Sequence, residues 1–321
     1  MTDRFLVTGA MGCLGAWVTH TLRRQGAEVV AFDLSSNRSR FDLIVDESDL
    51  GGVEFIVGDL TDRDSVEQAF ASTGVTHVIH CAALQIPFVR ANPPLGAQVN
   101  VTGTVNVFEA VRQHKDQIAG FAWASAAGVF GLPELYPEGV VRDDSVQHPM
   151  TLYGVFKQAD EGIARIYWQD HQVASVGLRP WVIYGVGRDQ GLTSSTTIAL
   201  LAAAAGRPYE ITYGGTTLFQ YAPDVAAAFV AAARARIPGA EVFNLPGAVA
   251  SIAEFVAAIE QARPAAKGLI TFAGDPIPVV ARVDTARLES MLPVPPVTSL
   301  QDGVAETISR FEALIERGLL T

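Results

Sequence analysis

Short apolar runs recur along the first 180 residues at 5–8, 28–32, 53–57, 77–81, 121–125 and 174–179, and amphipathic stretches of helix length lie between them at 14–25, 62–71, 96–113 and 151–170. The runs are short and β-branched or apolar, which is the pattern of strands buried in a parallel sheet. The alternation of strand and helix predicts right-handed crossovers and an α/β, Rossmann-type doubly wound parallel sheet. After Arg179-Pro180 the pattern loosens into Gly-, Thr- and Pro-rich segments, with helices predicted at 196–205, 223–233, 251–262 and 300–317. The expected division is therefore 1–180 and a smaller, mostly C-terminal lobe at 181–321, with an apolar run near 241–245 returning to the main sheet as a late strand.

Composition narrows the function. The chain has 321 residues and a formal net charge of −11, with a sequence pI near 5.0. A nucleic-acid partner needs a basic surface to displace counterions, so none is expected. The most apolar later stretches are interrupted by Arg207 and Arg234 and are too short to cross a bilayer, so no membrane association is expected either. Cys13 and Cys81 cannot make a disulfide framework, and a strand begins by residue 4 without a signal-like segment; a cytoplasmic location is the expectation. No metal site is expected: His77 and His80, three apart on a strand, point to opposite faces.

The first predicted strand runs directly into Gly9-Ala10-Met11-Gly12-Cys13-Leu14-Gly15 and then a helix. In that context Gly9 permits the tight turn, Gly12 lets backbone approach a pyrophosphate, and Gly15 allows close packing of helix on strand, while the helix N-terminus favours the phosphates. Met11, Cys13 and Leu14 fall between those glycines and are expected to line the same dinucleotide. Asp33 ends the second strand, where a carboxylate accepts hydrogen bonds from the adenosine ribose and repels a 2′-phosphate, favouring NAD over NADP. Arg38, close behind, is the residue that could instead reach a phosphate. Asp59 and Leu60 follow the third strand and are placed near the adenine, although Asp59 could equally serve the next helix, a role that Thr61 or Asp62 also fits. Ala82 and Ala83 follow the fourth strand with small side chains where backbone must pass close to the cofactor.

Tyr153 and Lys157 stand at i and i+4 of a predicted helix, off the stripe formed by Leu152, Phe156, Ala159, Ile163 and Ile166. A free tyrosine titrates near pH ~10, and a neighbouring ammonium favours its phenolate, so the pair can remove a hydroxyl proton or return it to a carbonyl near neutrality. Tyr153 is the expected base and Lys157 its electrostatic partner, which would also hold the nicotinamide ribose.

With these residues, TGAMGCLG, GDLTD, HCAA, NVTGTVNVFEA, WASAAGVFG, LYGVFK, LRPWVIYG and YAPDVAAAF together resemble the extended short-chain dehydrogenase/reductase superfamily, the NAD-dependent epimerase/dehydratase family, closest in character to sugar and sugar-acid dehydrogenases. The resemblance covers nearly the whole chain and implies an NAD-binding domain at 1–180 and a substrate-binding lobe at 181–321. It implies an NAD-dependent oxidoreductase acting on a secondary alcohol of a small sugar, sugar acid or polyol, with a sugar epimerase holding its NAD, or a non-catalytic NAD-binding module, as alternatives. It places Asn100 in a proton relay to Lys157 through water, puts Thr193 and Ser194 in the substrate pocket, and implies a homodimer through helices 96–113 and 151–170, with Val101, Val105, Phe108, Phe156 and Ile163 serving either that contact or the core. Departures matter: Ala126 stands where the family usually has a Ser or Thr that bonds the substrate oxygen, leaving Ser125 or Thr151 as the expected donor. Ala127 and Gly128 replace the acidic pair of sugar dehydratases, and Thr217 replaces the Arg that grips a nucleotide-sugar diphosphate.

Overall fold

The computed structural model describes residues 3–136 and 138–321. In chain order its elements are β1 (Arg4–Thr8), α1 (Cys13–Arg24), β2 (Glu28–Asp33), β3 (Val53–Val57), α2 (Arg63–Thr73), β4 (His77–His80), α3 (Ile86–Ala91), α4 (Pro93–Ala97), α5 (Gly103–Gln113), β5 (Gly120–Ala124), β6 (Val140–Val141), α6 (Leu152–His171), β7 (Ser175–Arg179) and β8 (Val182–Tyr184). They continue as α7 (Ser195–Ala204), β9 (Tyr209–Ile211), β10 (Thr216–Tyr221), α8 (Ala222–Arg234), β11 (Ala240–Asn244), β12 (Ala248–Ser251), α9 (Ile252–Ala262), β13 (Ile270–Phe272), β14 (Arg282–Val283), α10 (Ala286–Met291) and α11 (Leu300–Glu316).

Seven strands pair in the order β3-β2-β1-β4-β5-β7-β11, and the pairs are parallel, with Thr8 in register with Phe32 on one side and His80 on the other. The chain reverses direction across the sheet between β1 and β4, and a crevice at the carboxyl ends of such strands is where this architecture binds ligands. Two buried layers flank the sheet. Phe5, Val7 and Ile79 pack toward Trp17 of α1 and Phe229 of α8, whereas Leu6, Val30 and Val78 pack toward Phe70 of α2 and Phe108 of α5. The two sets alternate along the inner strands, so an apolar run there is satisfied on both faces, whereas β3 at the sheet edge exposes Phe55 and Val57. A smaller sheet, β12-β10-β8, carries the later chain away from the main one.

The predicted helix at 96–113 is helical throughout but not uniform. After α4 the chain makes a π-helical turn over Gln98–Thr102 before α5 begins, and Asn100, fully buried, lies within it. A π-turn re-aims side chains by inserting a residue into the helix, which hydrophobic period does not register. Asn92 caps α4 by accepting from Leu95 N–H, and α3 enters through Pro87 in its first turn. No described helix is long and apolar enough to cross a membrane.

Candidate active site

A cleft of about 900 Å³ opens at the sheet's switch point and runs from the glycine turn past Asp33, Asp59 and Leu60, along Ala82 and Ala83, to Ser125, Thr151, Tyr153, Lys157 and Thr193. Gly9 carries φ +69°, and a Cβ there would lie 2.7 Å from the Ala82 backbone; a Cβ on Gly15 would lie 2.2 Å from the Gly9 carbonyl oxygen. The turn is therefore drawn against both β4 and α1 more tightly than any side chain permits. Met11, Gly12, Cys13 and Leu14 line the same end. The cradle is apolar and backbone-lined, closed to a Cβ, and placed at a helix N-terminus, so the residues present fit a dinucleotide pyrophosphate.

The Asp33 carboxylate is held by two backbone donors: Met11 N–H to Oδ2 at 3.0 Å and Ser35 N–H to Oδ1 at 3.0 Å. Arg38, the residue that could have reached a phosphate, instead pairs with Asp42 at 2.7 Å and sits over the Phe55 ring. Arg40 takes the cleft position, bound to Asp189 and donating to Met11 O at 3.2 Å. Asp59 accepts from Thr61 N–H at 2.8 Å, while Asp62 caps α2. Cys13 and Cys81 also line the cleft. Burial pushes their thiols up, to about 11 and about 12, so they are poor nucleophiles.

At the other end, Thr151 caps α6, accepting from Gly154 N–H at 3.1 Å, which leaves its own hydroxyl proton free to point into the cleft. A Cβ at position 154 would lie 2.1 Å from the Gly128 carbonyl oxygen. The start of α6 is thus seated directly on the loop after β5, and Tyr153 with it. One turn later Lys157 is 2% exposed. Its Nζ donates to Ala124 O at 2.7 Å and to Asp160 Oδ2 at 3.1 Å. Burial opposes its charge, but Asp160 and Tyr153 more than offset that and hold the ammonium above the usual lysine range.

Three expected site residues are engaged differently. Ser125 lies beyond the last residue of β5 and donates its hydroxyl proton to Glu161 Oε1 at 2.6 Å, so that proton is not offered to a substrate oxygen. Glu161 also binds Arg179 Nη2 at 2.7 Å and Gln147, forming a buried polar brace under the loop. Asn100 turns its amide onto Leu84, accepting from N–H at 2.7 Å and donating to the carbonyl at 2.9 Å; it shapes the loop after β4 rather than facing the cleft. Ser194 is nearly buried and donates to Gly191 O at 2.9 Å, facing away from the cleft that Thr193 lines. Phe108 is a core residue, 4.7 Å from Phe121 between ring centroids.

The sequence offered no sign of Arg188. This guanidinium lines the cleft with neutral partners, Gln85 Oε1 at 3.2 Å and Thr193 Oγ1 at 3.4 Å. Its buried Nε has no hydrogen-bond partner among the described residues. Phe130, Trp181 and the segment from Ile277 to Val280 add apolar lining, and the Trp181 indole donates to Val280 O at 2.9 Å across 99 positions of the chain. Thr217 is buried on β10 and lies outside the cleft lining.

The model of the NAD dependent epimerase/dehydratase family matches residues 5–245. UDP-glucose 4-epimerase of Mycolicibacterium smegmatis is 30% identical over 330 aligned residues, covering 96% of this chain and 98% of that one. UDP-glucuronate 4-epimerase 1 of Arabidopsis thaliana is 33% identical over 188 residues, 56% of this chain, and the match spans only 42% of that longer protein. Among solved structures, the complex of Thermus thermophilus UDP-glucose 4-epimerase with NAD superposes with a TM-score of 0.80 at 25% identity, over 96% of this chain and 98% of the other. A family match over three quarters of the chain, a full-length relative and a glycine cradle that fits the cofactor converge: the chain is an NAD-dependent enzyme of the extended short-chain dehydrogenase type and belongs to the NAD-dependent epimerase/dehydratase family.

Proposed function

We propose that this enzyme moves a hydride between NAD and a secondary alcohol or carbonyl of a small, hydroxylated, preferably acidic molecule such as a sugar acid. The observation that carries this reading is the cleft joining the glycine cradle and Asp33 to Tyr153, Lys157 and Arg188, whose terminal nitrogens meet neutral partners and no carboxylate among the described residues. Bound NAD supplies the hydride acceptor. Tyr153 takes the hydroxyl proton in oxidation and returns it in reduction, with Lys157 holding the phenolate and the ribose hydroxyls. The Thr151 hydroxyl, at the same end of the cleft, hydrogen-bonds the reacting oxygen in place of the side chain missing at Ala126. Arg188 presents a planar double donor suited to a carboxylate. In this scheme residues 1–180 hold the cofactor, 181–321 supply the substrate wall, and the exposed apolar side chains Leu95, Leu152, Val155 and Ile166 on α4 and α6 pair two chains as a homodimer.

A second reading, supported by the likeness to sugar-nucleotide epimerases, is epimerisation with NAD retained and hydride returned to the opposite face. Thr217, buried and outside the cleft, weighs against a diphosphate grip there. Incubation with NAD and D-glucuronate, D-galacturonate, D-galactose, sorbitol, L-threonine and UDP-glucose tests both. Stoichiometric NADH from a sugar acid supports the first reading; an inverted UDP-sugar without net NADH replaces it with the second.

A further inference from the structure

We infer that Asp160 is a positioning residue, the counter-ion that keeps the buried Lys157 ammonium charged; this rests on the proton-transfer roles proposed for Tyr153 and Lys157. The two side chains are 0% and 2% exposed and 3.1 Å apart. Burial at that depth favours a neutral amine, and a neutral amine neither stabilises a phenolate nor keeps its charge for the reaction. The surrounding groups do not supply the missing anion. From the end of β4, His80 is driven down to about 3 by burial, and the Cys81 thiol is pushed up to about 12, so both are neutral near pH 7. From α6 itself, Glu161 is committed to Arg179 of β7 at 2.7 Å, and Tyr153 is the group that must cycle its proton. From α5, Thr104 is uncharged and donates to Asn100 O at 2.6 Å.

Asp160 is also not braced as a structural carboxylate would be. Its Oδ1 is buried without a hydrogen-bond partner among the described residues; Lys157 is the main group holding the carboxylate, and the neutral Thr104 hydroxyl of α5 adds a smaller share. Burial raises this carboxyl above the usual carboxylate range, and the Lys157 ammonium beside it pulls it back down.

The chain has three lysines, Lys115, Lys157 and Lys267, which makes a substrate-free test clean. Competitive acetylation with acetic anhydride across pH, read by peptide mass spectrometry, gives the pH midpoint of each amine, with Lys115 and Lys267 as internal references. The expected result is a Lys157 midpoint that drops by at least one pH unit in Asp160→Asn, a tenfold or greater rise in its neutral fraction at fixed pH, while Asp160→Glu keeps the wild-type midpoint and NAD affinity changes less than threefold. An unchanged Lys157 midpoint in folded Asp160→Asn overturns the inference. Should that variant fail to fold, a wild-type Lys157 midpoint below those of Lys115 and Lys267 overturns it equally. The underlying reading fails separately: NADH formation that survives Tyr153→Phe defeats the proton pair, whatever Lys157 does.

Discussion

Asp33 is the residue whose replacement has the most directly worked consequence. Its two carboxylate oxygens each accept one backbone N–H, Met11 on one side and Ser35 on the other. In Asp33→Asn only one oxygen remains, so one donor must face the new amide NH2. The Met11 bond is part-buried and the Ser35 bond exposed. The amide will therefore turn its oxygen to Met11 and leave Ser35 N–H to water, a cost of about 1 kcal/mol or less to the fold. The cofactor loses more. Hydrogen bonds to a charged acceptor contribute about 1.5–3 kcal/mol, and exchanging a carboxylate for an amide at the ribose hydroxyls forfeits much of that, weakening NAD roughly tenfold to a hundredfold. Binding of NADP, no longer opposed by a negative charge, should weaken less or improve. Calorimetric titration of both cofactors, with thermal unfolding of the free protein as the control, measures each part. An Asp33→Asn protein that keeps its melting temperature and binds NAD within twofold of wild type would refute the placement of the ribose at Asp33.

Further outcomes follow from the buried polar groups and from the apolar face. Glu161→Gln leaves the buried Arg179 guanidinium, 3% exposed in its side chain, without its anion; breaking such a pair costs about 3–5 kcal/mol, to be read by urea denaturation. His80 is buried and held far below the ordinary histidine range, at about 3, so the folded form resists a proton that the unfolded chain accepts near pH ~6.5. Its contribution to stability is complete above about 6.5 and is lost as pH falls toward 3. About 2 kcal/mol should go between pH 7 and 5, with a visibly flatter slope in His80→Asn. Light scattering should give twice the 34.1 kDa chain mass, and Val155→Asp with Ile166→Asp should give a monomer; a wild-type monomer refutes the dimer.

What was legible in the chain was what local chemistry dictates. The apolar runs of the first 180 residues are strands because an inner parallel strand is covered on both faces; the run at 53–57 forms the exposed edge of the same sheet. The glycine turn and the Tyr153/Lys157 spacing are contained within single segments. The unread parts are made by contacts between distant segments. Arg40 meets Asp189 across 149 positions and Arg188 meets Gln85 across 103, and neither pair leaves a periodic trace. Ser125 looked available because its neighbour Ala126 is not a donor, yet it is claimed by Glu161, 36 positions on. The π-turn around Asn100 is one residue out of step with the helical period, which a hydrophobic stripe of that length absorbs unseen. Asp160 leaves no mark in the hydrophobic pattern, because the depth of Lys157 beside it is a property of packing.

The central claim, that this cleft performs hydride transfer with Tyr153 as its acid and base, is tested most directly by NADH formation from NAD and a sugar-acid panel in wild type and in Tyr153→Phe. Substrate-dependent NADH is expected in the wild type, with at least a hundredfold loss of kcat in the variant and NAD binding retained. Equal turnover in the two proteins would contradict it.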